Sequence, residues 1–240
     1  MLLFYGTTMG YGWDPTYVLV LIGVVFSLLA SAKVKTTFAK YSKVRSMSGN
    51  TGAQAAEAIL YQAGIRDVRV ERISGNLTDH YDPTSKTLRL SDSVYNQTSV
   101  AAIGVAAHEC GHAIQHATNY APLKLRSSFV PVANIGSKLA WPLIFIGLFI
   151  QSNSGNLLLF SGIIMFSAAV LFQIITLPVE FNASKRALCI LGERWILYGD
   201  EVKQTKKVLD AAALTYVAAA AASILQLLRL LIILGGRNRD

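Results

Sequence analysis

Two histidines four residues apart, with a glutamate next to the first, can hold a metal ion and move a proton beside it. The chain carries that arrangement as His108-Glu109-Cys110-Gly111-His112, inside the apolar helical run Ala101 to Gln115. On an α-helix, residues four apart share a face and lie about 6 Å apart along the axis. His108 and His112 therefore point the same way. Neutral imidazole suits Zn²⁺, and a catalytic zinc keeps one position open for water. The ion draws that water's pKa towards neutrality, and Glu109 is placed to take the proton. A chance match is the alternative, since isolated H-E-x-x-H runs occur in unrelated chains. Against it stands the cost of burying two histidines and a glutamate in so apolar a run without a partner for them.

A catalytic zinc takes three protein ligands. His116 lies one turn further on, but about 12 Å along the axis from His108, beyond what a straight helix can bring to one ion. The extended motif with Gly three residues after the second His, and a third His three beyond that, fails here, because those places hold Gln115 and Thr118. A carboxylate remains. No Asp or Glu occurs between His112 and Glu180. Glu180 follows Pro178 at the end of an apolar run, and a membrane hairpin that returns to the side it left brings it level with His112. The competing reading is an interfacial carboxylate held by Lys185 or Arg186.

The elements that must position these residues are read next. Ser48 to Gly52 is a turn and helix start. Ala53 to Ala63 has helical spacing, with Ala55, Ile59 and Ala63 on one stripe, closed by Gly64. Val68 to Ile73 alternates apolar and charged residues at strand period. Turns at Ser74 to Asn76 and Asp82 to Ser85 precede a second strand at Thr87 to Ser91, giving a hairpin-like unit. The second strand is a candidate edge for an extended peptide to lie along. Ser99 begins the metal helix.

The surroundings are greasy. At 240 residues, 52% hydrophobic and only 15% charged, the chain is no ordinary soluble domain. Tyr17 to Ala32, Leu139 to Ile150, Leu157 to Leu177 and Ala211 to Leu234 are apolar enough to span a bilayer or pair into a hairpin that does; the hairpin's first arm can begin as early as Phe129. Trp13 and Tyr17 flank the first at interface positions. Five units follow: an anchor over residues 1–32, a domain over 33–128 holding the metal helix, a hairpin over 129–179, a charged helical segment over 180–210, and a last span with its tail over 211–240. Of 22 Lys and Arg residues, all but Arg229, Arg237 and Arg239 fall on the side of the chain that bears the metal motif. The positive-inside rule makes that side cytoplasmic. The same distribution accounts for the net charge of +8 as membrane orientation, and no aromatic-interleaved basic stripe favours nucleic acid. Two cysteines, Cys110 and Cys189, read as free thiols in a reducing compartment.

Five stretches carry a resemblance: Leu77-Thr-Asp-His-Tyr-Asp-Pro83, Leu88-Arg-Leu-Ser91, Ala106 to His116, Leu177-Pro-Val-Glu-Phe-Asn-Ala-Ser184 and Leu214-Thr-Tyr-Val-Ala218. Spread over most of the chain, they resemble the YugP-like bacterial zinc metallopeptidases, related more loosely to the HtpX-like proteases. The resemblance implies a cytoplasm-facing zinc site with His108, His112 and Glu180 as ligands and Glu109 as general base. HtpX-like chains usually end the fourth stretch in Asp, where this one has Ser184, so Asn182 or Arg186 is expected to orient a ligand instead.

The expectation is a mainly α integral membrane protein with four transmembrane helices and a small α+β zincin-like cytoplasmic domain. It sits in a bacterial cell membrane and hydrolyses peptide or protein substrates, membrane proteins among them, with Zn²⁺ as cofactor. A non-enzymatic membrane scaffold with a structural zinc site competes, but such a site has no use for Glu109. A transporter fits poorly, since three of the four spans hold no charged residue. Asp79 and His80 are candidates for a second polar site or a capped turn, and Tyr216 for an oxyanion donor or an interface tyrosine.

Overall fold

The computed structural model describes residues 14–193 and 196–237. Trp13, Arg194 and Arg239, used above for interface and charge, lie outside the described residues. Six helices and three strands follow in order: α1 Tyr17–Tyr41, α2 Gly52–Gln62, β1 Arg69–Ile73, β2 His80–Asp82, β3 Thr87–Ser91, α3 Val100–Ala117, α4 Ala121–Phe149, α5 Asn153–Glu193 and α6 Asp200–Arg237. Helices α1, α4, α5 and α6 are long and apolar enough to cross a membrane.

Local chemistry starts the helices of the site. Thr51 caps α2: its side chain accepts from Gln54 N while Gln54 reaches back to Thr51 N. Ser99 caps α3, accepting from Ala102 N at 3.2 Å, an interaction of about 1 kcal/mol. The sheet is not a hairpin. Its order is β1-β3-β2, with β3 in the centre, parallel to β1 and antiparallel to β2. The Thr87–Ser91 strand is therefore paired on both sides, and the edges are β1 and β2, the latter a strand that the sequence reading did not assign.

The apolar core lies between α2, α3 and the sheet, around Ile59, Leu88, Leu90 and Ile103. Ala187 and Leu191 of α5 and Leu209 of α6 complete it. Those helices are longer than their apolar runs. Pro178 does not end α5, which continues as helix to Glu193. A helix loses one internal bond at a proline and carries on when neighbours hold it. Likewise α1 runs past Ala32 to Tyr41, α4 begins at Ala121, and α6 joins charged residues 200–210 to the last apolar run.

Helix α6 crosses the whole molecule. Near its start, Glu201 accepts from Met47 N and Tyr198 N. At its far end, Arg237 donates to the Gly147, Leu148 and Ile150 carbonyls that terminate α4. Arg229 pairs with Asp14 at 3.2 Å and stacks over Tyr17. Of the three arginines that break the sequence charge pattern, the two described ones thus serve as a helix cap, Arg237, and as a tie from α6 to the segment leading into α1, Arg229.

Candidate metal centre

Helix α3 presents His108 and His112 one turn apart, with ring centroids 4.8 Å apart and planes nearly perpendicular. It can lie close to α5 because residue 111 is glycine. A Cβ there would sit 2.6 Å from the Ala183 carbonyl oxygen, inside van der Waals contact. That approach carries Glu180 over the two rings. Its Oε2 lies 3.3 Å from His108 Nε2 and 3.5 Å from His112 Nε2. The three expected ligand residues are thus brought together, their donor atoms all within 4.8 Å of one another.

The set fits a zinc ion. Glu180 Oε2 is buried without a hydrogen-bond partner, although both imidazole Nε2 atoms lie within 3.5 Å of it. The far nitrogens of both rings are occupied. His112 Nδ1 meets Gln115 Oε1 at 3.1 Å. Gln115 Nε2 donates to Val179 O at 2.8 Å and to Asn182 Oδ1 at 3.0 Å, which fixes the amide and leaves Oε1 as an acceptor. His112 must then carry its proton on Nδ1, which leaves the Nε2 lone pair free for an ion. His108 Nδ1 meets Ser184 Oγ at 3.1 Å, so Ser184 does contact a ring, contrary to the expectation drawn from its departure from Asp. Asn182 and Arg186 act at one remove: Arg186 Nε donates to Asn182 Oδ1, which also receives Gln115.

Two residues escaped the sequence reading. Gln115, fully buried, looked like a failed motif position. Arg126 of α4 donates to Glu180 Oε1 at 3.2 Å, leaving Oε2 to face the imidazoles. A lone arginine 54 residues away offers no sequence signal. His116 stays outside the group, with Nδ1 2.9 Å from the Tyr81 hydroxyl. Asp79 and His80 form no second cluster. Asp79 accepts from Ser91 N and Oγ, while His80 Nδ1 meets Thr78 O.

Electrostatics agree with a cation site. Burial alone would lower the His112 pKa, but the Glu180 and Glu109 carboxylates outweigh it and raise it. Burial raises the Asp79 carboxyl, its Ser91 hydrogen bonds oppose this, and Glu109 adds repulsion. Cys110 is a free thiol pushed well up by burial. Its Sγ faces the Ala56 carbonyl and not the metal group.

Glu109 and Glu180 separate two cavities. The larger, about 770 Å³, holds His112, His116, Lys124 and Arg126 on its walls. The smaller, about 230 Å³, lies towards α1 and α6. Asp79 and Tyr216 line both, and Tyr216 faces the Glu180 and Glu109 charges.

No solved structure matches the chain. A curated relative from Bacillus subtilis (strain 168), "Putative membrane protease YugP", is 51% identical over 215 residues, covering 89% of this chain and 94% of the relative. The family model described as "Putative neutral zinc metallopeptidase" matches residues 16–235. That match takes in the metal helix, Glu180 and most of all four long apolar helices, so the chain is a membrane protein that belongs to this zinc metallopeptidase family.

Proposed function

We propose that the protein is a zinc-dependent endopeptidase working at the cytoplasmic face of the membrane, with Glu109 as general base. The observation that carries this is the convergence of His108 Nε2, His112 Nε2 and the unpartnered Glu180 Oε2 beside Glu109, with His112, Glu109 and Glu180 lining the larger cavity. His108, His112 and Glu180 would hold the ion. When bound, zinc supplies Lewis acidity that polarises a carbonyl and acidifies water. Glu109 takes the proton of the attacking water and passes it to the leaving amine. Arg126 holds one Glu180 oxygen, while Gln115 and Ser184 hold the imidazole planes. Tyr216 supplies a hydroxyl for the charge that develops on the carbonyl oxygen. The substrate lies extended along the outer edge of β2, whose residues line the larger cavity, and not along the central β3. A cytoplasmic site is supported by the basic residues gathered on the metal-motif side.

The test is metal analysis and hydrolysis of an unfolded protein substrate by the full chain in detergent. Native protein should carry zinc and cleave, and chelation should abolish cleavage until Zn²⁺ is restored. Glu109→Gln should keep zinc and lose nearly all hydrolysis. Normal cleavage by Glu109→Gln would refute the mechanism, and cleavage by metal-free native protein would refute the metallopeptidase reading.

A further inference from the structure

The turn between β1 and β2 belongs to a stretch, Leu77 to Pro83, that the metal chemistry does not use. Leu77 sits there at φ 55°, in the left-handed region that bulky residues rarely enter. The turn is tied from several directions. Gly75 N donates to the Asp92 carboxylate and Gly75 O accepts from Asp92 N. Leu77 N reaches Ser93 Oγ, and Asp79 accepts twice from Ser91. All this holds a leucine whose side chain is not in the core but 41% exposed. Strain that a fold enforces without burying anything points to a use outside folding.

Leu77 faces the smaller cavity beside His108, Glu109 and Glu180. Its apolar walls include Val34 of α1, Val105 of α3, and Leu209 and Ala213 of α6, while Asp79, Ser184, Thr215 and Tyr216 supply polar atoms. At about 230 Å³ it falls below the usual size of a pocket for a whole small molecule, roughly 300–1,000 Å³. It suits one side chain. The cavity on the other side carries His80, His116, Lys124 and Arg126 as well as the Asp79, Glu109 and Glu180 carboxylates.

Resting on the peptidase reading, we infer that the smaller cavity is an apolar subsite, rimmed by Leu77, for one aliphatic or aromatic side chain at a fixed position beside the scissile bond. The substrate class is then polypeptides with Leu, Met or Phe at that position. A substrate side chain entering there covers Leu77 and the apolar walls, removing them from water. An acidic side chain entering the same walls loses its hydration and meets the Asp79, Glu109 and Glu180 carboxylates, which repel it.

The experiment uses the zinc-loaded full chain in detergent. Native protein digests a peptide mixture that varies the residues flanking one bond, and the products are mapped by mass spectrometry. Zinc-loaded Glu109→Gln is titrated with fluorescent peptides of the same series, reading binding without turnover. Both readouts should favour Leu, Met or Phe over Gly, Asp or Lys at one position by about tenfold, the lower end of what apolar pocket contacts give. Leu77→Asn, a residue that accepts positive φ, should melt no lower than native yet lose most of that preference. Ala213→Phe, which fills the cavity, should shift the preference to Gly and Ala. A role for Leu77 in touching lipid would leave the profile unmoved by Leu77→Asn, and that result overturns the inference. Cleavage without apolar preference, or with preference for Lys, also overturns it while leaving the peptidase reading intact. Apolar preference in binding with no cleavage by native protein upholds the subsite and sinks the peptidase reading. If neither readout shows selectivity or turnover, both fall.

Discussion

Replacing Gln115 by methionine tests how the centre is held. Methionine nearly matches glutamine in volume, so no large cavity opens, but it neither accepts from His112 nor donates to α5. His112 Nδ1 loses the acceptor at 3.1 Å that fixes its tautomer and ring plane. Loss of such an outer partner typically costs 10–100-fold in metal affinity, or about 1.4–2.7 kcal/mol. The effect on folding is smaller. The Val179 carbonyl keeps its place inside the α5 helix, and Asn182 Oδ1 keeps the Arg186 donor at 2.8 Å. A net loss of about 1 kcal/mol is expected, a melting shift of roughly 2–4 °C for a chain of this size. Zinc affinity is measured by competition with a chelator of known affinity, and stability by thermal unfolding of the metal-free protein in the same detergent. Gln115→Glu, which can still accept from Nδ1–H, should recover most of the zinc affinity. Native zinc affinity in Gln115→Met would show that Gln115 does not orient His112, and the tautomer argument would fail with it.

Other outcomes follow from the same geometry. Glu180→Ala should lose far more than the 10–100-fold of an outer partner, whereas Glu193→Ala, at the far end of α5, should bind zinc normally; equal binding by both would place the third ligand elsewhere. Gly111→Ala should push α3 off the Ala183 carbonyl, costing about 1–3 kcal/mol and most of the zinc affinity; native behaviour would mean that the close helix approach is not required. Zinc affinity should weaken as pH falls through the raised pKa of His112, beginning above the ordinary 6.5 because a proton must be displaced from the ring. Affinity that stays flat from about pH 8 to about pH 6 would contradict this. A cysteine at Ser154 should react with an impermeant reagent from outside intact cells and one at Thr84 should not, and the reverse would overturn the cytoplasmic assignment.

The metal helix was readable because its information is local: a cap at Ser99, a 3.6-residue apolar period and two histidines four apart. Thr87–Ser91 was readable for the same reason. The three-residue β2 was not, since His80-Tyr-Asp82 beside Pro83 has the composition of a turn and becomes a strand only by pairing with β3. The parallel pairing of β1 with β3 likewise depends on partners far apart in sequence. Glu180 could be reached by elimination in a chain with few acids. Arg126 and Gln115 could not, because arginine and glutamine are ordinary at such positions until α4 and α5 fold against the site. That the same helix carries on past Pro178 to Glu193 was not legible, because a proline in a long packed helix removes one bond without stopping it.

Helix α5 has 41 residues, a single rod of about 60 Å. One end stands in the turn after α4, and the stretch near the other carries Glu180, Ala183 and Ser184 against α3. Residues 33–128 contain both imidazoles but not Glu180, so a fragment cut from its long helices would lack one member of the candidate metal group. The rod is also a lever. A helix tilts when the hydrocarbon around it becomes thinner or thicker, and a tilt of α5 moves the carboxylate end relative to the histidines seated on α3.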